Sequence, residues 1–370
     1  MRRSHTSAAA PPAAARPTAA RPTAARLTPV RLTAALPAVA LLTVACSAPA
    51  PGAVKLIAHD SFAGGVTEET FAAFTAETGI EVEVIAAGDA GALVNQAILT
   101  KDNPLADALF GVDDTFLSRA LGAEIFEPHK AEGIDNVDPA FVDPESRITP
   151  IDYGDVCVNY DKAWFDQRGV PPPAGLDDLR DDRYKGLLAV EHPATSSPGL
   201  AFMLATVAAY GEGAWLDYWR DMREAEVSVA ADWDAAYYGD FTRYDGPRPL
   251  VVSYASSPPA EVIYAEPPVD VAPTGVVEEG CYRQIEYAGV LAGAADPEAA
   301  GRLIDHLLSV EFQEAIPLAW FVFPANRAAA LPQEFVDHAV VPPSPASLDA
   351  AAVAENRERW IGEWIEVMEG

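Results

Sequence analysis

The stretch at residues 151–162, IDYGDVCVNYDK, limits what this 370-residue chain can become. Asp155, Cys157 and Asn159 fall on one face and Val156, Val158 and Tyr160 on the other, the two-residue period of a strand with unlike surroundings. The segments on its two sides both read as α/β. The stretch is therefore expected to be a hinge strand between two lobes, with a cleft beside its polar edge. A chain of this length exceeds one comfortable core, which points the same way.

Ahead of the hinge, residues 54–58 read as a strand, HDSFAGG as a turn and residues 67–78 as a helix that Gly79 stops. IEVEVI, residues 80–85, alternates as a strand with one wet face, and strand, helix, strand implies parallel pairing. The Gly-rich turn AAGDAGA comes next, with Asp89 as candidate cap of the next helix, at the carboxyl end of a strand where open α/β sheets bind ligands. ADALFGV then leads to Asp113, Asp114 and a helix.

Beyond the hinge, a strand at 187–190 runs into HPATSSPGL. Ser196 or Ser197 can cap a helix closed by Gly211, and its free backbone N–H groups would also suit an anion. A second helix, 214–225, carries Trp215, Tyr218 and Trp219. VVSYASSPP is an apolar strand breaking into another hydroxyl-rich turn, and residues 276–292 read as the return crossing. Asp296-Pro297 opens a helix over 298–309 that 311–316 continues; the last helix, 349–369, places Trp360 and Trp364 on one face as its anchor.

Residues 1–46 differ from all of this. They hold six of the 25 basic residues, none of the 55 acidic ones, and a short apolar run, LTAALPAVALLTVA, ending in small residues before Cys46. That reads as an export signal, with Cys46 lipidated or else removed with an ordinary cleaved signal. The remainder carries a net charge of -36, which repels nucleic acid and anionic lipid. Cys157 and Cys281 can form a disulfide in an oxidising compartment or remain two buried thiols. With no CxxC pair and no His/Cys cluster at zinc spacing, a structural metal is not expected.

The succession HDSF, GDAGALVNQ, IDYGDVCVNYDK, TSSPGL, DWDAAY, VVSYASSP, EFQEAIPLAWFVFPAN and RERWIGEWIE resembles the periplasmic thiamine-binding proteins of ABC importers over nearly all of residues 54–368. The resemblance implies an α/β, two-lobed type II periplasmic binding protein fold, with the ligand cleft between lobes joined by two hinge crossings. The expected organisation is a signal peptide over 1–45, a linker over 46–53 after lipidated Cys46, a discontinuous first lobe of 54–152 plus 277–370, and a second lobe of 153–276. The ligand implied is thiamine or a thiamine phosphate, and the partner the membrane permease of the importer. A monomer is expected, reaching the outer face of the membrane only through the lipid anchor or else periplasmic, with no cofactor and no catalysis.

Carried over by that resemblance, the ligand-binding positions are Asp89, Ala90, Ser196, Ser197, Trp233, Tyr254, Ala255, Ser256, Ser257, Pro258 and Trp320, with His59 and Asp60 beside the first strand. Aromatic faces at Trp233, Tyr254 and Trp320 suit an aminopyrimidine and a cationic thiazolium, Asp89 or Asp60 can balance the charge, and the serines suit a hydroxyl or phosphate tail. His59, Val66, Ala90 and Ala260 depart from the residues usual in the family. Two alternatives stay open: a ferric-ion or polyamine binder of the same fold, the former using Tyr237-Tyr238, and a thiaminase-like enzyme with Cys157 as nucleophile and Glu286 as its carboxylate.

Overall fold

The computed structural model describes residues 52–370, so the signal segment and Cys46 lie outside the described residues. Ten strands form one mixed sheet: β1 (Val54–Ala58), β2 (Val82–Ala86), β3 (Ala108–Asp113), β4 (Phe126–Glu127), β5 (Thr149–Asp161), β6 (Leu188–Glu191), β7 (Ser228–Ala230), β8 (Leu250–Tyr254), β9 (Thr274–Leu291) and β10 (Phe323–Pro324). Their order is β2-β1-β3-β9-β5-β8-β6-β7, with β10 beside β5 and β4 beside β9. β1 lies parallel to β2 and β3, as the strand-helix-strand pattern requires. On the other side β6 is parallel to β7 and β8. Between the two groups run β5 and β9, antiparallel and long, the expected hinge strand and its return.

Both faces of the first group are covered, and β3 shows it by alternation whose phase shifts at Gly111. Leu109 and Val112 of β3 enter one apolar cluster with Phe116, Leu200, Phe202, Trp215 and Trp219; Ala108 and Phe110 enter another with Phe62, Phe74, Leu303 and Leu307. The closing helix, Ala350–Glu369, is capped by Asp349, and its anchors behave as the spacing predicts. Trp364 is fully buried edge-on to Trp219 with ring centres 5.4 Å apart, and the Trp360 indole N–H donates to Glu212 at 2.9 Å. Buried Arg357 of the same helix lies over the Phe116 ring, so the helix ties together segments from before and after β5.

Local chemistry moved some boundaries. HDSFAGG, expected as a turn, is a short helix, Asp60–Gly65, because the His59 imidazole Nδ1 accepts from the Phe62 N–H at 3.2 Å and caps it. The helix expected from residue 67 begins only at Ala72: the Thr67 N–H is taken by the Thr70 hydroxyl at 2.9 Å, a bond that competes with the first helical turn. Ser196 stands at the start of the helix Ser197–Tyr210, but its hydroxyl caps no N–H, and the Ser197 hydroxyl donates to Asp113 instead. The expected continuous helix near residue 309 is two, Pro297–Leu307 and Val310–Ala319, because Ser309 caps a fresh start at the Phe312 N–H.

The β5–β9 ladder shifts register between Pro150 and Asp152, keeps it from Asp152–Glu286 to Val156–Tyr282, breaks, and resumes at Val158–Val277. Cys157 sits at the break, bonded to Cys281, so the sulfurs form a disulfide. Gly280 beside it has φ +86°, a left-handed conformation that favours glycine. A third irregularity lies between Phe110 and Val112 in the β3–β9 pairing, where Gly111 has φ +97° and a Cβ would enter the His59 ring. Gly111→Ala is therefore expected to cost roughly 1–3 kcal/mol of stability, read by denaturant unfolding, and to displace His59. An unchanged unfolding midpoint would contradict that account of the bulge.

Candidate functional site

At the carboxyl ends of β1, β2 and β3, facing the ends of β6 and β8, lies a cavity of about 380 Å³. From the first half of the chain come His59, Asp60, Phe62, Asp89 and Phe110. Asp152 and Glu286 come from the crossings, Ser197, Trp233, Tyr237, Tyr238, Tyr254, Ser257 and Tyr264 from the second half, and Trp320 and Phe321 from the returning chain. A recess of about 260 Å³, lined by Asp60, Ser61, Gly88, Asp89, Ala92, Thr195, Ala231, Asp232, Trp233 and Asp234, adjoins it. A larger groove of about 730 Å³ elsewhere, bounded by Asp177, Arg180, Asp181, Asp182, Lys185 and Asp221, is walled by exposed ion pairs such as Arg180–Asp221. Its polar groups already serve one another.

Two aromatic plates line the main cavity. Trp233 stacks on Tyr237, with ring centres 4.8 Å apart, and its indole N–H donates to the Ser253 hydroxyl at 3.0 Å. Trp320 stacks on Phe62 at 4.7 Å, its N–H held by the Phe62 carbonyl at 3.0 Å. Trp320 also has the Phe312 ring stacked at 5.8 Å, so each indole is fixed by a bond at its edge and by stacked neighbours, a low-entropy surface for a flat ligand.

The floor is acidic. Asp152 and Glu286 are paired directly across the β5–β9 ladder. Burial, and then the Glu286 charge, hold the Asp152 carboxyl well above its ordinary range. Asp152 is 3 % exposed, and its Oδ1 has no partner within the protein. His59 Nε2 lies 3.4 Å from Glu286 Oε2. Burial alone would depress this imidazole, but Glu286, Asp89 and Asp113 outweigh it and raise it. Asp89 caps the helix Ala90–Leu99 through the Ala90 N–H at 2.8 Å and leaves its second oxygen without a partner. Burial pushes Asp89 up to about 6 against the opposing pull of His59 and that N–H. Asp113, beneath them, accepts from Thr115 and Ser197 and is likewise raised, chiefly by burial.

Of the residues expected at the site, His59, Asp60, Asp89, Ser197, Trp233, Tyr254, Ser257 and Trp320 line the cavity. Ala90, Ser196, Ala255, Ser256 and Pro258 are buried and are not among its wall residues. Tyr254 is there by its hydroxyl, which accepts from Gln284 at 3.1 Å. Phe62, Phe110, Asp152, Tyr264 and Phe321 were not anticipated. Nothing local sets Asp152 and Glu286 apart from Asp155 and Asp161, or from Glu278 and Glu279, on the same crossings.

Both alternatives meet obstacles. Cys157 is bonded to Cys281 and offers no thiolate, so the thiaminase-like assignment of Cys157 is corrected. Tyr237 and Tyr244 donate their hydroxyls to buried Glu261 at 2.8 and 2.9 Å, and burial pushes Tyr237, Tyr238 and Tyr244 upward, away from the phenolate a ferric ion needs. Among the described residues, no group of three or more His, Cys, Asp and Glu is placed to hold a metal, and no helix is long and apolar enough to cross a membrane.

A family profile described as bacterial extracellular solute-binding protein matches residues 103–346. The chain is 30% identical over 331 residues to the thiamine-binding periplasmic protein of Salmonella typhimurium, covering 87% of this chain and 96% of the relative. It is 29% identical over 327 residues to that of Escherichia coli, again 87% and 96%. Among solved structures, a periplasmic thiamin binding protein superposes with a TM-score of 0.76 at 26% identity, covering 85% of this chain and 96% of that one. Iron-bound HitA from Pseudomonas aeruginosa reaches 0.70 at 19%, covering 86% and 99%, a likeness of fold alone.

Proposed function

Since the chain belongs to the bacterial extracellular solute-binding protein family, we propose that it captures thiamine, or a thiamine phosphate, outside the cytoplasm and delivers it to the permease of an ABC importer. Its fold is the two-lobed type II periplasmic binding protein fold, and its relatives are binding proteins rather than enzymes. The observation that carries the reading is one cavity combining two fixed indole plates with an acidic floor. A flat aminopyrimidine gains from stacking, and a permanent thiazolium cation gains from both the ring faces and the carboxylates.

Lobes of 54–152 plus 277–370 and of 153–276 would close over the ligand by bending at β5 and β9, because the bound molecule touches both only when they are shut. Lipidation at Cys46 would keep the monomer at the outer face of the membrane, beside the permease. The test is an intrinsic tryptophan fluorescence titration. A saturable change with thiamine and none with ferric ion or spermidine supports the reading; a response to iron or spermidine alone assigns the cavity to another cargo.

Binding of a cation favours ionised Asp89, which is protonated below about 6 in the free protein. The affinity for thiamine is therefore expected to rise with pH through that value and level off above it. His59, whose imidazole is raised from its ordinary value, also gains charge as the pH falls and opposes the cation, which has the same sign. If the ionised form is required, moving from pH 7.5 to pH 5 weakens binding about tenfold. A flat titration from pH 5 to 8 would remove Asp89 from the ligand.

A further inference from the structure

Resting on that reading, we infer that Ser253, which stands behind the cavity wall, is a positioning residue for thiamine: its hydroxyl holds the Trp233 plate and turns the Ser257 hydroxyl toward the ligand as a donor. Ser253 lies on β8 two positions after Val251, and so shares the strand face on which Val251 packs with Tyr237 and Trp233. An apolar side chain would suit that face. Ser253 is instead fully buried there, and both of its hydrogen bonds lead to residues that line the cavity.

These bonds run in one direction. The Trp233 indole N–H can only donate, so the Ser253 oxygen accepts it at 3.0 Å. The Ser253 hydrogen then needs an acceptor, and the one within reach among the described residues is the Ser257 oxygen at 2.9 Å. Ser257, having accepted, keeps its own hydrogen for the cavity that it lines. A relay of this sense polarises each link and strengthens the last donor, which meets an acceptor on the ligand such as a pyrimidine nitrogen. The anchor is also stiffer than what it holds. Ser253 pairs with Cys157 across the β5–β8 ladder, Cys157 is bonded to Cys281, and the next carbonyl, that of Tyr254, accepts from buried Asn159 at 3.1 Å. Trp233 lies outside the strands on a partly exposed segment, stacked on Tyr237. Without Ser253 the indole keeps that stacking but loses the bond that fixes its rotation, and ordering it again on binding costs affinity.

The test is calorimetric titration of thiamine into the wild-type protein, Ser253→Ala, Trp233→Phe and the double variant. The Trp233 indole proton is followed by NMR and assigned by its absence from Trp233→Phe. Ser253→Ala should weaken binding about three- to tenfold, the effect of one buried hydrogen bond, with an unchanged circular dichroism spectrum. It should also shift the Trp233 indole proton before any ligand is added, and the two losses should not multiply in the double variant, because both changes break one chain of bonds. Wild-type affinity in Ser253→Ala, an unmoved indole proton, or losses that multiply would each overturn this inference and leave the thiamine reading intact. A wild-type protein that binds no thiamine overturns both.

Discussion

Removal of the Cys157–Cys281 bridge, by the double replacement Cys157→Ala and Cys281→Ala, is expected to lower stability by about 4–5 kcal/mol. The sulfurs are 124 positions apart in sequence, so in the unfolded chain the bond closes a loop containing all of β6, β7 and β8. Loop-closure entropy of that length sets the magnitude. Both residues are 1 % exposed, packed with Ala255, and alanine leaves no buried hydroxyl unsatisfied. In melting temperature the loss corresponds to roughly 10 °C. The bond also joins the two crossings at the break in their register, so its removal should loosen the bending region as well as destabilise the fold. Denaturant unfolding of the oxidised protein and the double variant measures the difference. A gap under about 1 kcal/mol would mean that the crossings hold each other without the sulfurs.

The second large effect belongs to the indoles. Trp233→Ala and Trp320→Ala should each weaken thiamine binding by roughly 10- to 100-fold, since each removes a cation–π or stacking term and a wide apolar face at once. Replacement by Phe, which keeps a ring, should restore most of the affinity. Trp233 is only partly buried, so its loss should leave the chain folded; Trp320 also covers Phe62, and its variant should lose some stability too. Circular dichroism separates the two effects. Wild-type affinity in both alanine variants would eliminate the ring clamp.

The central strands were legible because their pattern is local. Period two at residues 151–162, apolar runs ending in turns, and Asp296 and Asp349 at helix starts all speak through near neighbours, and the sheet bears them out. The short helix at Asp60–Gly65 escaped because its cap is an imidazole, outside the usual Ser, Thr, Asp and Asn. The site was legible only in part. Resemblance pointed to Trp233, Trp320 and Asp89, but the meeting of Asp152 with Glu286 depends on the register of two strands far apart in sequence. No local pattern encodes that register, nor the approach of Cys157 to Cys281. The turns of Ser196 and Ser256 were legible, whereas the burial of both hydroxyls without a hydrogen-bond partner depends on packing that no local pattern encodes.

The most direct test is a crystal structure of the protein grown with thiamine. The account predicts one molecule in the cavity, its rings against Trp233 and Trp320 and its amine or cationic ring within reach of Asp89, Asp152 and Glu286. Density for thiamine at another place, or none at saturating concentration, would contradict it.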